Sequence, residues 1–365
     1  MSLLHIESFE GYDRDTVILN GGKYENWMSE SSEDLVISNS YGRNSSTGLR
    51  LFTNSYTFTQ RGSVTRHLNG NYDTIIVGAA IRLDNPNQSL EFTGNVTSHR
   101  TIFALADGST IQAALSITPS MRLQVTQGES GSVLGRSTFY LHTGIFYYIE
   151  FKCLVSNTAG TFEVKVDGIT RLTGGGDTQM SADQYINAIR LGAEGAFGTG
   201  SSGRYVRFDD VYIANTTVST VYNDFIGDVR IEGLRPIGDR LTKQWVPSSG
   251  TVHFDMVDDL TPDTSNYITS GTIGDIDLFS VSSLLTPAGS ILAVTPNMYA
   301  RKTNAGVARI AAVVNRAGTN AFGEDQYLTQ ENRYHYNDVW VKNPIDNSQW
   351  ASNLSSIYFG IKKSG

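Results

Sequence analysis

The chain has 365 residues, enough for one large domain or for two of ordinary size. Hydrophobic residues make up 39% and charged residues 18% of it, below the roughly 45–50% and 25% of typical globular domains. The 18 Tyr, 16 Phe and 36 Gly argue against a disordered tail, a helical bundle or a coiled coil, and they indicate a β protein with many turns. The net charge of −8 argues against nucleic-acid binding, because phosphates call for a basic patch and the densest basic segment is the pair Lys362 and Lys363.

The N-terminal segment and the single cysteine bear on the compartment. Residues 1–7 lack the basic region and the apolar run of a secretory signal, so we expect synthesis in the cytoplasm. The longest apolar stretch lies near Ile75–Ile81, far short of the roughly 20 residues of a membrane helix, so no membrane association is predicted. Cys153 has no partner for an intrachain disulfide, and its apolar surroundings predict a buried, unreactive thiol.

Short β-rich runs separated by Gly, Asn and Ser fill the first half. The predicted strands are Asp15–Leu19, Gly48–Phe52, Asp73–Leu83, Ser89–Phe92, Thr101–Ala106, Ile111–Ile117, Arg122–Thr126, Tyr147–Val155, Gly160–Val166, Ala188–Leu191 and Tyr205–Ile213. Residues 161–168 show the pattern best, because Phe162, Val164 and Val166 share one face while polar residues share the other. That alternation predicts a half-buried antiparallel strand that ends in an Asp-Gly turn.

The second half has its own alternating segments. The predicted strands are Gly227–Leu234, Gln244–Val246, Thr251–Val257, Asp277–Val281, Ser290–Thr295, Gly306–Val314, Asp338–Lys342 and Ser355–Ile361. A Thr/Ser/Val-rich stretch near Asn215–Asn223 marks a boundary. We therefore predict an all-β protein of two β-sandwich domains with very little helix, residues 1–217 forming the first and residues 218–365 the second.

Several motifs follow one another in a set order. They are Ser8–Tyr12, Tyr41–Arg43, Gly48–Leu51, Ile149–Lys152, Gly160–Gly168 and Arg207–Ile213, then Gly227–Ile231, Gln244–Pro247, Val257–Asp259, Asn337–Pro344 and Gly360–Lys362. Together they resemble virion proteins of tailed bacteriophages that carry a laminin-G/concanavalin-A-like jelly roll followed by a second β-module. The resemblance implies that the first strand lies beside the last strand of the jelly roll, and that the second module serves virion docking or oligomerisation.

No catalytic, cofactor-binding or metal-binding residue stands out. The six His, at positions 5, 67, 99, 142, 253 and 335, lack zinc-ligand spacing. The paired carboxylates usual in glycanases of this fold are absent as a strand motif, and Glu163 and Asp167 are the closest imitation. We therefore expect no cofactor and no enzymatic activity.

Other polar and aromatic residues are assigned structural roles. The acidic cluster Asp255, Asp258, Asp259 and Asp263 is interpreted as a solvated loop. Asp209 and Asp210 lie in an apolar strand and are expected to be hydrogen-bonded structural carboxylates.

Aromatic side chains leave two interpretations open. They can stack on sugars, or they can form the core and subunit interfaces. Trp340 is expected in the core, whereas Tyr334 and Tyr336 are expected on one exposed face.

The resemblance implies a non-enzymatic structural component of a tailed-phage virion, associated with the tail, collar or fibre. Three alternatives stay open: a capsid decoration or cement protein, a receptor-binding module that recognises a glycan, and a depolymerase. The expected location is the virion, and the expected partners are further copies of the chain in a homo-oligomer such as a trimer, other virion proteins and host surface glycan.

Overall fold

The computed structural model describes residues 3–12, 23–26, 35–53, 62–84, 100–129, 131–192, 204–216, 221–259, 262, 264–285, 289–336 and 339–365. The chain divides into two compact units. The first unit comprises Met1–Glu10 and Tyr24–Ile231, and the second comprises Gly11–Lys23 and Glu232–Gly365. The predicted boundary at residues 217/218 and the docking role of the second module stay predictions.

Fifteen strands lie in the part of the first unit that the structure describes. They are β1 Leu3–Glu7, β2 Glu25–Asn26, β3 Leu35–Ser38, β4 Gly48–Thr53, β5 Ser63–Tyr72, β6 Thr74–Asp84, β7 Arg100–Asp107, β8 Thr110–Ile117, β9 Arg122–Gln127, β10 Val133–Tyr140, β11 Phe146–Leu154, β12 Gly160–Val166, β13 Ile169–Gly176, β14 Ile186–Gly192 and β15 Arg204–Asn215. The predicted strands Asp15–Leu19 and Ser89–Phe92 lie outside the described residues.

Two antiparallel sheets contain these strands. The first sheet has the order β13-β12-β11-β6-β15-β4-β3, with β1 also pairing with β15, and the second has the order β10-β9-β8-β7-β14-β5-β2. Glu7 lies opposite Val211, so the first strand lies beside the last strand of the jelly roll, as the resemblance implied. Phe103 of the second sheet and Phe208 of the first have ring centroids 6.3 Å apart, which places the apolar core between the two sheets.

The strand β12 shows why alternating sequences form this sandwich. Phe162, Val164 and Val166 are buried, while the polar residues between them are more exposed. Asp167 and Gly168, with φ of 50° and 76°, turn the chain into β13. Positive φ at both central positions is typical of a tight hairpin turn, so the predicted strand and Asp-Gly turn are confirmed.

The described residues of the second unit contain ten strands. They are β16 Pro236–Lys243, β17 Val246–Pro247, β18 Ile268–Thr269, β19 Ile276–Val281, β20 Met298–Ala300, β21 Arg309–Arg316, β22 Thr319–Phe322, β23 Gln326–Tyr327, β24 Arg333–His335 and β25 Ile357–Lys363. One sheet has the order β16-β19-β25-β21-β22, with β23 also on β21, and two further pairs join β17 to β18 and β20 to β24. Ala312, Val314 and Ile357 pack with Trp340 and Trp350 on one face of the larger sheet.

Four predicted strands of the second half are wrong. Residues 290–295 and the described part of 338–342 contain only isolated bridges, at Ile291, Val294 and Trp340. In the other two, carboxylates bind backbone N–H groups. Residues 227–234 form no strand, because the N–H groups of Gly227 and Ile231 donate to the carboxylates of Glu150 and Asp210 instead of to a neighbouring strand. Residues 251–257 contain a 3-10 turn at Phe254–Met256. The all-β class itself is confirmed, and no helix in the described part of the chain is long and apolar enough to span a membrane.

Candidate functional site

Three arginines form a row across the solvent-facing side of the first sheet. Arg207 of β15 lies opposite Arg82 of β6 on one side and opposite Arg50 of β4 on the other. Their strand neighbours, among them Leu51 and Phe208, are buried in the core. Because side chains alternate along a strand, burying the leucines and the phenylalanine turns all three guanidinium groups to the outer face.

Asp84 joins two of these arginines. Its Oδ1 accepts a hydrogen bond from Arg82 Nε at 2.7 Å, and its Oδ2 accepts one from Arg207 Nε. Arg207 also donates through Nη1 to the carbonyl oxygen of Ser40 at 2.9 Å. The side chains of Arg82 and Arg207 are 33% and 17% exposed, so both guanidinium groups remain within reach of a ligand in solvent.

Arg50 differs because aromatic rings, not carboxylates, surround it. Its guanidinium carbon lies 4.4 Å from the ring centre of Tyr41 and 4.2 Å from that of Tyr205. Its Nε is buried without a hydrogen-bond partner, and no carboxylate among the described residues pairs with this side chain. Arg207 also lies over Tyr41, at 4.8 Å. The rings hold the guanidinium groups in fixed planes while leaving the positive charge of Arg50 uncompensated.

We call this surface, made of Arg50, Arg82, Arg207, Tyr41, Tyr205 and Asp84, the arginine face. It carries three positive charges and one negative charge in a chain whose net charge is −8. Planar guanidinium groups bind carboxylates and phosphates through paired hydrogen bonds. The arginine face is therefore a candidate site for an anionic ligand.

A buried polar cluster lies further along the same side of the same sheet. The backbone N–H of Arg43 donates to Asp209 Oδ2 at 2.8 Å, and its Nε donates to Asp210 Oδ2 at 2.9 Å. The hydroxyl groups of Tyr212 and Tyr148 donate to Glu150 Oε1 and to the carbonyl oxygen of Asp210. We call this group the anchor cluster; its members are Arg43, Tyr148, Glu150, Asp209, Asp210 and Tyr212.

Burial controls the titration of this cluster. Burial, with the adjacent charge of Asp210, raises the pKa of Asp209 to about 7. Burial also raises the pKa of Asp210, although the nearby Arg43 opposes that shift. A low-dielectric environment disfavours two neighbouring carboxylates that are both charged.

The anchor cluster holds one segment of chain in place. Glu150 accepts from the N–H of Gly227 at 2.9 Å, and Asp210 accepts from the N–H of Ile231 at 2.7 Å. Lys165 lies 4.2 Å from the ring centre of Phe225, which adds a cation–π contact to the same segment. The expected structural role of Asp209 and Asp210 is therefore confirmed.

The outer face of the second sheet also carries polar side chains, but these are buried. Thr101 lies opposite Ser116, which lies opposite Gln124, and all three are at most 2% exposed. Thr101 Oγ1 and Ser116 Oγ are 3.4 Å apart, and Gln124 Oε1 accepts from Arg136 Nε at 3.0 Å. Each of these three side chains therefore has a hydrogen-bond partner, unlike Nε of Arg50.

The residues singled out by the sequence fall mostly in the core. Cys153 is fully buried, which raises the pKa of its thiol to about 12 and confirms an unreactive group. Trp340 is in the core as expected. The expected exposure of Tyr334 is wrong, since it is 8% exposed and packs 5.2 Å, centre to centre, from Tyr12.

The remaining candidates form no ligand cluster in the described part of the chain. Asp255 and Asp259 are exposed and Asp258 is half-buried, as expected for a solvated loop, whereas Asp263 lies outside the described residues. No group of three or more His, Cys, Asp or Glu among the described residues has the geometry to hold a metal ion.

Sequence reasoning missed the arginine face because its arginines are 32 and 125 residues apart along the chain (82 − 50 and 207 − 82). Each belongs to a strand that the pattern predicted, as the polar member between buried neighbours. Only strand register brings the three together. The available signal was the repeated placement of arginine, rather than Ser or Thr, at outward positions.

Several solved structures are similar to the chain. A cellulose-induced protein is 15% identical, with a TM-score of 0.42, and the match covers 57% of this chain and 96% of that one. An endo-β-1,4-glucuronan lyase from Trichoderma reesei is 14% identical, with a TM-score of 0.41, and covers 57% and 94%. A carbohydrate esterase from the Shiga toxin-encoding bacteriophage phi24B is 11% identical, with a TM-score of 0.36, and covers 57% and 99%.

No protein-family model matches the chain, and no curated protein matches it. The structural likeness at these TM-scores assigns no reaction or ligand. The similar folds nevertheless include a lyase and an esterase, and these findings contradict two expectations: a non-enzymatic structural component of the virion, and a chain without enzymatic activity. Both expectations are therefore withdrawn.

Proposed function

We propose that the protein binds an acidic polysaccharide on the arginine face of its first unit. The observation that carries the proposal is the uncompensated guanidinium of Arg50, held between two tyrosine rings beside Arg207 and Arg82. A carboxylate on a sugar would pair with this guanidinium, which no carboxylate among the described residues neutralises.

The arrangement favours a ligand with sparse carboxylates. Neighbouring strands lie about 4.8 Å apart, so three arginines on adjacent strands span about 10 Å. Asp84 already neutralises part of the charge of Arg82 and Arg207. Such a face offers hydrogen-bond donors to one or two carboxylates, whereas a protein that binds nucleic acid can contact about 6–10 phosphates.

Tyrosine rings add a second element of sugar recognition. Tyr41 and Tyr205 are half-buried, and aromatic rings pack well against the apolar faces of sugar rings. Their stacking on Arg50 limits the rotamers of that guanidinium, which lowers the entropy lost on binding.

Affinity electrophoresis in gels containing polygalacturonate tests the proposal. We expect retardation of the wild type, with affinity reduced at least about tenfold in Arg50→Met, because a hydrogen bond to a charged group contributes about 1.5–3 kcal/mol. Arg240→Met is the matched control, because Arg240 is an exposed arginine stacked 3.8 Å from the ring centre of Tyr358 in the second unit.

Two results would overturn the proposal. One is equal retardation of wild type and Arg50→Met in polygalacturonate. The other is equal retardation of the wild type by neutral dextran, which offers no carboxylate. Stronger binding to single-stranded DNA than to polygalacturonate would indicate that the ligand is a nucleic acid and not a glycan.

The location of this binding face on a phage particle is a separate proposal, supported by the sequence resemblance alone. It makes the ligand a surface glycan of the host and the partners other virion proteins or copies of this chain. Mass spectrometry of purified virions tests it, with the chain expected among the particle proteins. Its absence from intact virions would contradict this location without affecting the binding proposal.

A further inference from the structure

A buried histidine–aspartate pair in the second unit resembles the basic half of a hydrolytic site. His253 Nδ1 and Asp277 Oδ2 are 2.6 Å apart. Asp277 is fully buried, and its other oxygen accepts from the N–H groups of Gln244 at 2.6 Å and Trp245 at 2.9 Å. In the neutral imidazole, Nδ1 donates to the carboxylate of Asp277, which leaves the lone pair on Nε2.

The histidine is fixed from two sides. Asp239 on β16 accepts from the backbone N–H of His253 at 3.1 Å and from that of Phe254 at 2.7 Å. Asp277 on the neighbouring strand β19 holds the ring. Two carboxylates on adjacent strands thus fix both the backbone and the imidazole, a preorganisation that a proton-transferring group needs.

The second ring nitrogen is available. Nε2 of His253 makes no hydrogen bond to the part of the chain that the structure describes, and the side chain is 9% exposed. The ammonium group of Lys243 is paired with Asp239 at 3.2 Å. An imidazole oriented by a carboxylate, with its second nitrogen not bound by the described residues, has the arrangement of a general base.

We propose that His253 is a general base for the hydrolysis of a small O-acyl ester and that Asp277 is its positioning residue. The water oxygen attacks the acyl carbon and forms the new C–O bond, while a proton of the water passes to Nε2. The tetrahedral intermediate then collapses, the bond to the alkoxy oxygen breaks, and the proton on Nε2 passes to that oxygen. Ester and water become carboxylic acid and alcohol, with the imidazole unchanged.

Two features select an ester as the substrate. Hydrolysis of a glycosidic bond usually needs two carboxylates that flank it, whereas Asp277 and Asp239 are both engaged in holding the histidine. The slight exposure of the ring limits access to a small acyl group such as acetyl. This inference does not depend on glycan binding by the first unit.

Acetate release from glucose pentaacetate, followed by NMR with the full chain, tests the proposal. We expect His253→Asn to lower the rate at least about 100-fold, the contribution typical of a general base. Asp277→Asn should lower kcat while leaving KM unchanged, because it misorients the imidazole without removing it. His142→Asn is the control and should match the wild type, since His142 is an exposed histidine of the first unit.

A second measurement does not depend on the folding of variants. Diethyl pyrocarbonate should inactivate the wild type in proportion to the modification of His253 mapped by mass spectrometry. The proposal is overturned by acetate release at the spontaneous rate in the wild type, by equal rates in wild type and His253→Asn, or by activity that survives full modification of His253. Loss of polygalacturonate binding in Arg50→Met with intact esterase activity would separate the two proposals.

Discussion

The arginine face and the anchor cluster lie on the same side of the same sheet, yet they do different work. Both consist of polar residues at outward positions of β15 and its neighbours. In the anchor cluster, residues 224–231 cover the charges and satisfy them through backbone N–H groups. At the arginine face no described carboxylate pairs with Arg50, and the side chains of Arg82 and Arg207 remain partly exposed. Side-chain alternation places a row of polar groups on the outer face of the sheet. Where residues 224–231 bind to this row it is an anchor, and where no described segment binds to it the row is a candidate binding face.

The largest expected effect is a loss of stability when a buried residue of the anchor cluster is replaced. Asp210→Ala should lower the free energy of unfolding by about 3–5 kcal/mol, because it leaves the guanidinium of Arg43 without its buried partner. Urea denaturation followed by circular dichroism measures the change. Asp228→Ala is the matched control, since Asp228 binds the same arginine but is 53% exposed, and it should cost less than about 1 kcal/mol. Equal losses in the two variants would show that burial does not distinguish the anchor.

A second expected effect is the pH dependence of stability that Asp209 causes. The pKa of Asp209 in the folded protein, about 7, exceeds that of an unfolded aspartate, about 3.9, so the folded state binds the extra proton between these values. The stabilisation is complete below about pH 4 and is lost as the pH rises through 7, with a slope of at most about 1.4 kcal/mol per pH unit.

Asp209→Asn should remove that slope. Urea midpoints of wild type and variant between pH 4 and pH 8 measure the slope. The stability of the variant relative to the wild type should increase as the pH rises. Its absolute stability also changes, because an amide nitrogen cannot accept the hydrogen bond that Asp210 N donates to Asp209 Oδ1. Parallel pH profiles would show that Asp209 titrates as it does in the unfolded chain.

The smallest expected effect on stability is at the arginine face. Arg82→Ala removes a pair with Asp84 that is partly exposed on both sides, so it should cost less than about 1 kcal/mol. The same variant should weaken polygalacturonate binding, because the face then loses one of its three positive charges. A loss of stability as large as that of Asp210→Ala would mean that the arginine row is a second anchor.

The amino-acid sequence by itself determined most of the strands of the first unit. In residues 161–166 the alternation predicted both the strand and its buried face, and Asp167-Gly168 predicted the turn. These features depend on neighbouring residues only, since side-chain alternation and turn geometry are local properties of the backbone. The burial of Cys153 and Trp340 followed from the same local patterns.

Only the tertiary structure decided which polar groups meet. Residues 227–234 alternate like a strand, yet two of their N–H groups donate to Glu150 and Asp210, which lie on distant parts of the chain. His253 and Asp277 are 24 residues apart, and Arg50, Arg82 and Arg207 lie on strands whose order in the sheet differs from their order in the chain. Register and strand order are set by the packing of the whole sheet, so pairings across it cannot be deduced from one strand at a time.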